Sequence, residues 1–171
     1  MSDMRLTVFI AVLLTATIGF ATDWYNSPSP ESAAAAAAFL NEIMQQSPRH
    51  DGAPLRIYEI RDVDLDGAFE VLEHRSAFED APGFLSAPLG PAFDWVTIYR
   101  QRNGRFQEAT AEFRWFLTLQ RLKYEQWIRA FEASESLTGD ASQLVAANRE
   151  KFIRILKDYV ARVEKLLRRE G

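Results

Sequence analysis

The sequence predicts an α+β fold, a small antiparallel sheet of two hairpins packed with an N-terminal helix and two C-terminal helices. Three observations predict it. Two pairs of β-rich runs are each joined by turn-forming residues, an alanine-rich segment with a helix-start signal precedes them, and the last third repeats its apolar residues at helical spacing. With 171 residues, 47% of them apolar and 26% charged, the chain has the size and composition of one domain able to bury a core.

The elements can be taken in order. After "MSDMR", the stretch "LTVFIAVLLTATIGFA" (Leu6 to Ala21) carries no charge and ends in small residues. It reads as a secretory signal peptide over residues 1–21, cleaved after Ala21 and leaving a single domain over 22–171. An uncleaved membrane anchor is the alternative, although the stretch is short of the ~20 apolar residues that span a bilayer. Ser29-Pro30-Glu31 then supplies an N-cap, a proline at the first helical position and an acid in the first turn. The run Ala33–Ala38 continues that helix until Ser47-Pro48.

"LRIYEIR" (Leu55 to Arg61) and "FEVLEH" (Phe69 to His74) have strand character and flank an acidic loop. "DWVTIYR" (Asp94 to Arg100) and "RFQEAT" (Arg105 to Thr110) flank Asn103-Gly104, a strong signal for a type I′ turn. Between the hairpins lies a Pro- and Gly-rich stretch dotted with Phe78, Phe84, Leu85, Leu89 and Phe93, suited to covering one end of the core. Phe113, Phe116, Leu117, Tyr124, Trp127, Ile128 and Phe131 then mark one face of a helix that Gly139 stops. Asp140 and Gln143 form a capping-box pattern for the last helix, whose stripe is Leu144, Phe152, Ile155, Tyr159, Val163 and Leu166.

Charge is unevenly spread. The chain carries −4 overall, with a pI near 5.3, which argues against general nucleic-acid binding. From Asp51 to Asp94 there are ten acids and three arginines, while from Ala141 to Gly171 there are eight bases and four acids. Interspersed acids make the basic last helix a solvated outer face rather than a membrane-binding one. There is no cysteine, which excludes disulfides, thiol catalysis and cysteine-held zinc. The two histidines, His50 and His74, stand in no metal-ligand or catalytic spacing, and no phosphate-cradling or nucleophile-elbow motif occurs.

The acidic loop, "DVDLDGAFEVLE", carries the one chemical signal. Asp62, Asp64 and Asp66 alternate, Gly67 follows, and Glu70 and Glu73 trail behind. The spacing writes out D-x-[DN]-x-[DN]-G-x5-E, which places several carboxylate oxygens round one hard cation, with glycine permitting the sharp turn. Without a cation these carboxylates repel one another, and Arg56, Arg61 and Arg75 offset only part of that charge. A solvated acidic turn is the plainer alternative.

The stretch resembles the calcium loop of EF-hand proteins, but its strand-like flanks make it more similar to the single D-x-D-x-D-G-x-x-[DE] loops of FG-GAP- and VCBS-type secreted β-repeat proteins. That resemblance covers about 12 to 20 residues, and one copy is present where those families carry several. It implies Ca2+ as the bound ion, with Asp62, Asp64, Asp66 and Glu70 as side-chain ligands and Ala68 contributing its carbonyl. Glu73 would join them only in an EF-hand geometry. The resulting expectation is an exported, non-enzymatic, calcium-binding protein, periplasmic or secreted, in which the ion rigidifies a hairpin and a protein partner is served. No nucleic acid is expected, and a membrane only if the N-terminal segment stays attached. Two alternatives remain. One is a membrane-anchored interaction protein without a metal site, and the other a hydrolase using a carboxylate pair such as Glu70 and Glu73.

Overall fold

The structure is a computed structural model that describes residues 28–80, 90–133 and 140–168. The signal segment, Phe84, Leu85, Leu89 and Gly139 lie outside the described residues, as do the side chains of Asp140, Gln143 and Leu144. The fold is α+β, with three α-helices flanking antiparallel sheets of two and four strands among the described residues.

Helix α1 (Pro30–Gln45) starts where the sequence says it should, because the Ser29 side chain accepts from the Ser32 N–H at 3.1 Å and Pro30 needs no donor partner. It is followed by a two-stranded hairpin, β1 (Arg49–His50) and β2 (Ala53–Pro54), turning at Asp51 and Gly52 with φ of 48° and 80°. Sequence reasoning missed this hairpin, although Asp-Gly is among the strongest type I′ signals.

Strands β3 (Ile57–Arg61), β4 (Glu70–Ser76), β5 (Asp94–Arg102) and β6 (Arg105–Glu108) form an up-and-down sheet in that order. Both expected hairpins are present, and β4 pairs β5 to join them into one sheet. At the β5–β6 turn Arg102 faces Arg105, and Asn103 and Gly104 take φ of 50° and 76°, the expected I′ pair.

Alternation along the strands separates two faces. Tyr99 and Phe106 point toward α1, where the Phe39 ring meets them at centroid distances of 5.3 and 4.6 Å. Leu72, Val96 and Ile98 point the other way and pack with Val63, Ala109, Phe113 and Phe116, where α2 (Arg114–Ala133) begins. A second cluster lies where α2 meets α3 (Asp140–Arg168) and closes on Phe78, Phe93 and Trp95. Two tyrosines tie this helix pair to the sheet, with Tyr124 donating to the Asp94 carbonyl at 2.7 Å and Tyr159 to the Phe93 carbonyl at 3.1 Å. The expected stripe on α2 is buried or half-buried throughout, and Leu156, which the sequence pattern did not single out, is fully buried on α3. Among the described residues no helix is long and apolar enough to cross a membrane.

Candidate metal centre

The acidic loop is the connection from β3 to β4, so strands and not helices flank it. Asp62 organises it. Its carboxylate is nearly buried and accepts from the backbone N–H groups of Asp66 and Gly67, each at 3.1 Å. Gly67 has φ 88° and Leu65 φ 62°, two left-handed residues that let the chain fold back over Asp62. Asp66 caps its own turn, accepting from the Ala68 N–H at 2.9 Å. The Phe69 N–H then donates to the Ser32 hydroxyl at 2.7 Å, which fastens the end of the loop to α1.

Glu70 opens β4 with no exposed surface. One of its oxygens accepts from the Val63 N–H at 2.9 Å and the other from Arg100 Nε at 2.9 Å. Burial holds the Glu70 carboxyl above the usual carboxylate range, and the negative charge of Asp64 adds to that; the bonds from Val63 and Arg100 offset only part. Carboxylate oxygens of Asp62, Asp64 and Glu70 lie within 4.8 Å of one another. An ion with oxygens at about 2.3–2.6 Å can touch atoms up to about 5 Å apart, so this grouping is spanned by a single calcium-sized cation.

The six expected ligands therefore divide. Asp62, Asp64 and Glu70 converge. Asp66 sits beside them, its Oδ2 3.5 Å from Arg100 Nη2, and the Ala68 backbone follows in the same turn. Glu73 does not converge. Three residues beyond Glu70 on one strand it points to the opposite face, and there it accepts from Arg56 Nη1 at 2.7 Å and from the Tyr99 hydroxyl at 2.8 Å.

Arg100 is the residue that sequence reasoning missed. Its Nη2 is hydrogen-bonded to Asp64, its Nε to Glu70, and its Nη1 lies 3.9 Å from Glu112 Oε2, with the guanidinium 4.6 Å from the Phe113 ring centre. Burial alone would lower the pKa of this guanidinium, but the carboxylates of Asp64 and Glu70 more than reverse that and hold it above its ordinary value. Arg56 and Arg75, named from the sequence as countercharges to the loop, serve elsewhere, Arg56 on Glu73 and Glu79 and Arg75 on Glu79. Arg61 makes no ion pair among the described residues.

Comparison of the chain with protein-family models, curated proteins and solved structures finds no match.

Proposed function

We propose that this is a non-enzymatic protein in which the β3–β4 loop binds a divalent cation, calcium by its chemistry, and that the ion rigidifies the sheet. The observation that carries this is the convergence of the Asp62, Asp64 and Glu70 oxygens within 4.8 Å. Charge supports it. Four carboxylates, those of Asp62, Asp64, Asp66 and Glu70, meet one guanidinium at the loop, leaving negative charge for a dication to offset. All the donors are oxygens, the preference of a hard cation, and calcium tolerates an irregular set where magnesium demands an octahedron. The uncharged stretch Leu6–Ala21, read as an export signal, supports a periplasmic or secreted location as part of this proposal.

A protein partner is the second part of the proposal. Trp115, Leu119 and Leu122 follow one another at spacings of four and three on α2 and are 47%, 54% and 47% exposed. They form an apolar stripe on the side of the helix away from the core, the kind of surface that marks interaction sites.

The test is thermal unfolding of the metal-depleted protein with added calcium. A ligand bound only by the folded state stabilises by RT ln(1 + [Ca]/Kd), about 2.7 kcal/mol at a hundredfold excess over Kd. Asp64→Ala should remove the response and Asp64→Asn weaken it, with magnesium a poor substitute. A melting temperature indifferent to millimolar calcium and to chelator refutes the metal site.

A further inference from the structure

Resting on that metal reading, we propose that Arg100 is a tethered competitor for the site. Its guanidinium balances the loop in the metal-free protein, and must withdraw toward Glu112 before a divalent cation can bind.

The geometry leads there in steps. Arg100 lies on β5, and since Val71 pairs with Tyr99, the next pair along brings Arg100 opposite Glu70 on the same face. From there its Nε reaches Glu70 at 2.9 Å and its Nη2 reaches Asp64, two of the three carboxylates that converge. A metal ion would need those same oxygens at bonding distance. A dication at those oxygens and the guanidinium beside them would repel one another at such range, because both are positive. Occupancy is therefore an exchange.

Arg100 also has somewhere to go. Its Nη1 is already 3.9 Å from Glu112, whose carboxylate holds Arg102 at 2.6 Å and keeps accepting capacity, and the Phe113 ring lies beneath the guanidinium. Rotation toward Glu112 would keep the charge paired rather than strand it. Arginine suits this role better than lysine because a planar fork engages two separate carboxylates at once, whereas an ammonium is a single point charge. The affinity of the loop is then set by a residue outside it, and the metal-free fold avoids the repulsion that the loop sequence alone would impose.

Calorimetric titration of calcium into the full chain tests this, comparing the wild type with Arg100→Gln and Arg100→Lys, each freed of metal first. Losing two charge-assisted bonds that compete with the ion should tighten calcium binding about tenfold or more in Arg100→Gln. The same variant should unfold at lower urea in chelator and regain that loss at saturating calcium. Arg100→Lys, which keeps the charge without the fork, should fall between them and gives the same comparison if the glutamine variant does not fold. Binding by Arg100→Gln where the wild type binds none would support the exchange outright. Equal affinities in the wild type and both variants would overturn it while leaving the metal site standing. Failure of every variant to bind at millimolar calcium would instead refute the metal site, and the exchange with it.

Discussion

Glu73 separates two accounts of the acidic segment, and replacing it with alanine gives the sharpest test. As the last ligand of an EF-hand loop it would hold calcium, whereas in the structure it is nearly buried and accepts from Arg56 Nη1 at 2.7 Å and Tyr99 Oη at 2.8 Å. Hydrogen bonds to a charged group each contribute about 1.5–3 kcal/mol. Arg56 would not be stranded, because its Nε and Nη2 keep Glu79 at 2.7 and 3.1 Å, so the loss should fall short of a fully broken buried pair. Glu73→Ala should therefore lower stability by about 2–4 kcal/mol, which at about 2–4 °C per kcal/mol for a domain of this size is a fall of roughly 5–15 °C in melting temperature. Urea unfolding in chelator measures the loss, and Glu73→Gln, which keeps the volume, should lose less. Repeating the melt with calcium should give the alanine variant the same upward shift as the wild type. A loss below about 0.5 kcal/mol, within the range of an exposed ion pair, would refute the network. Disappearance of the calcium shift would restore Glu73 as a ligand.

Two further predictions follow from the sheet and its docking to the helices. Gly104 has φ 76° with open space where a side chain would stand, so Gly104→Val should cost more than about 1 kcal/mol through backbone strain alone, and a neutral urea midpoint would contradict the I′ turn. Burial raises the Tyr99, Tyr124 and Tyr159 phenols above the ordinary tyrosine value of 10.0, with Tyr159 at about 12. Because the unfolded chain ionises these groups first, their contribution is intact below about pH 10 and is lost as pH rises through the folded values, with a slope near 1.4 kcal/mol per pH unit for each phenol. Phenolate absorbance should show these tyrosines titrating only together with unfolding. Early titration of all three, with the fold intact, would contradict their burial.

The fold was legible wherever a local signal decided the outcome. Ser29-Pro30, Asn103-Gly104 and the period of α2 each act within a few residues, and each element appears where its signal lies. The β1–β2 hairpin was equally legible through Asp51-Gly52, but strands of two residues leave no alternating pattern to draw attention to the turn. The two hairpins share one sheet, as the sequence led one to expect, but the register of the β4–β5 pairing was not legible, because it spans a long connection and has no turn to fix it.

That unread register explains why Arg100 was missed at the candidate site. Counting along the loop keeps both Glu70 and Glu73 in view, Glu73 only under an EF-hand geometry. Once β4 is a strand, a separation of three residues puts them on opposite faces, and the neighbours that β5 supplies decide their chemistry. Tyr99, next to Val71, meets Glu73 on one side, while Arg100, next to Glu70, meets the acidic cluster on the other. Adjacent residues of β5 thus serve opposite faces of β4. The loop's own charge pattern marks a concentration of carboxylates, but only the pairing of β4 with β5 reveals that the chain sets a guanidinium beside them.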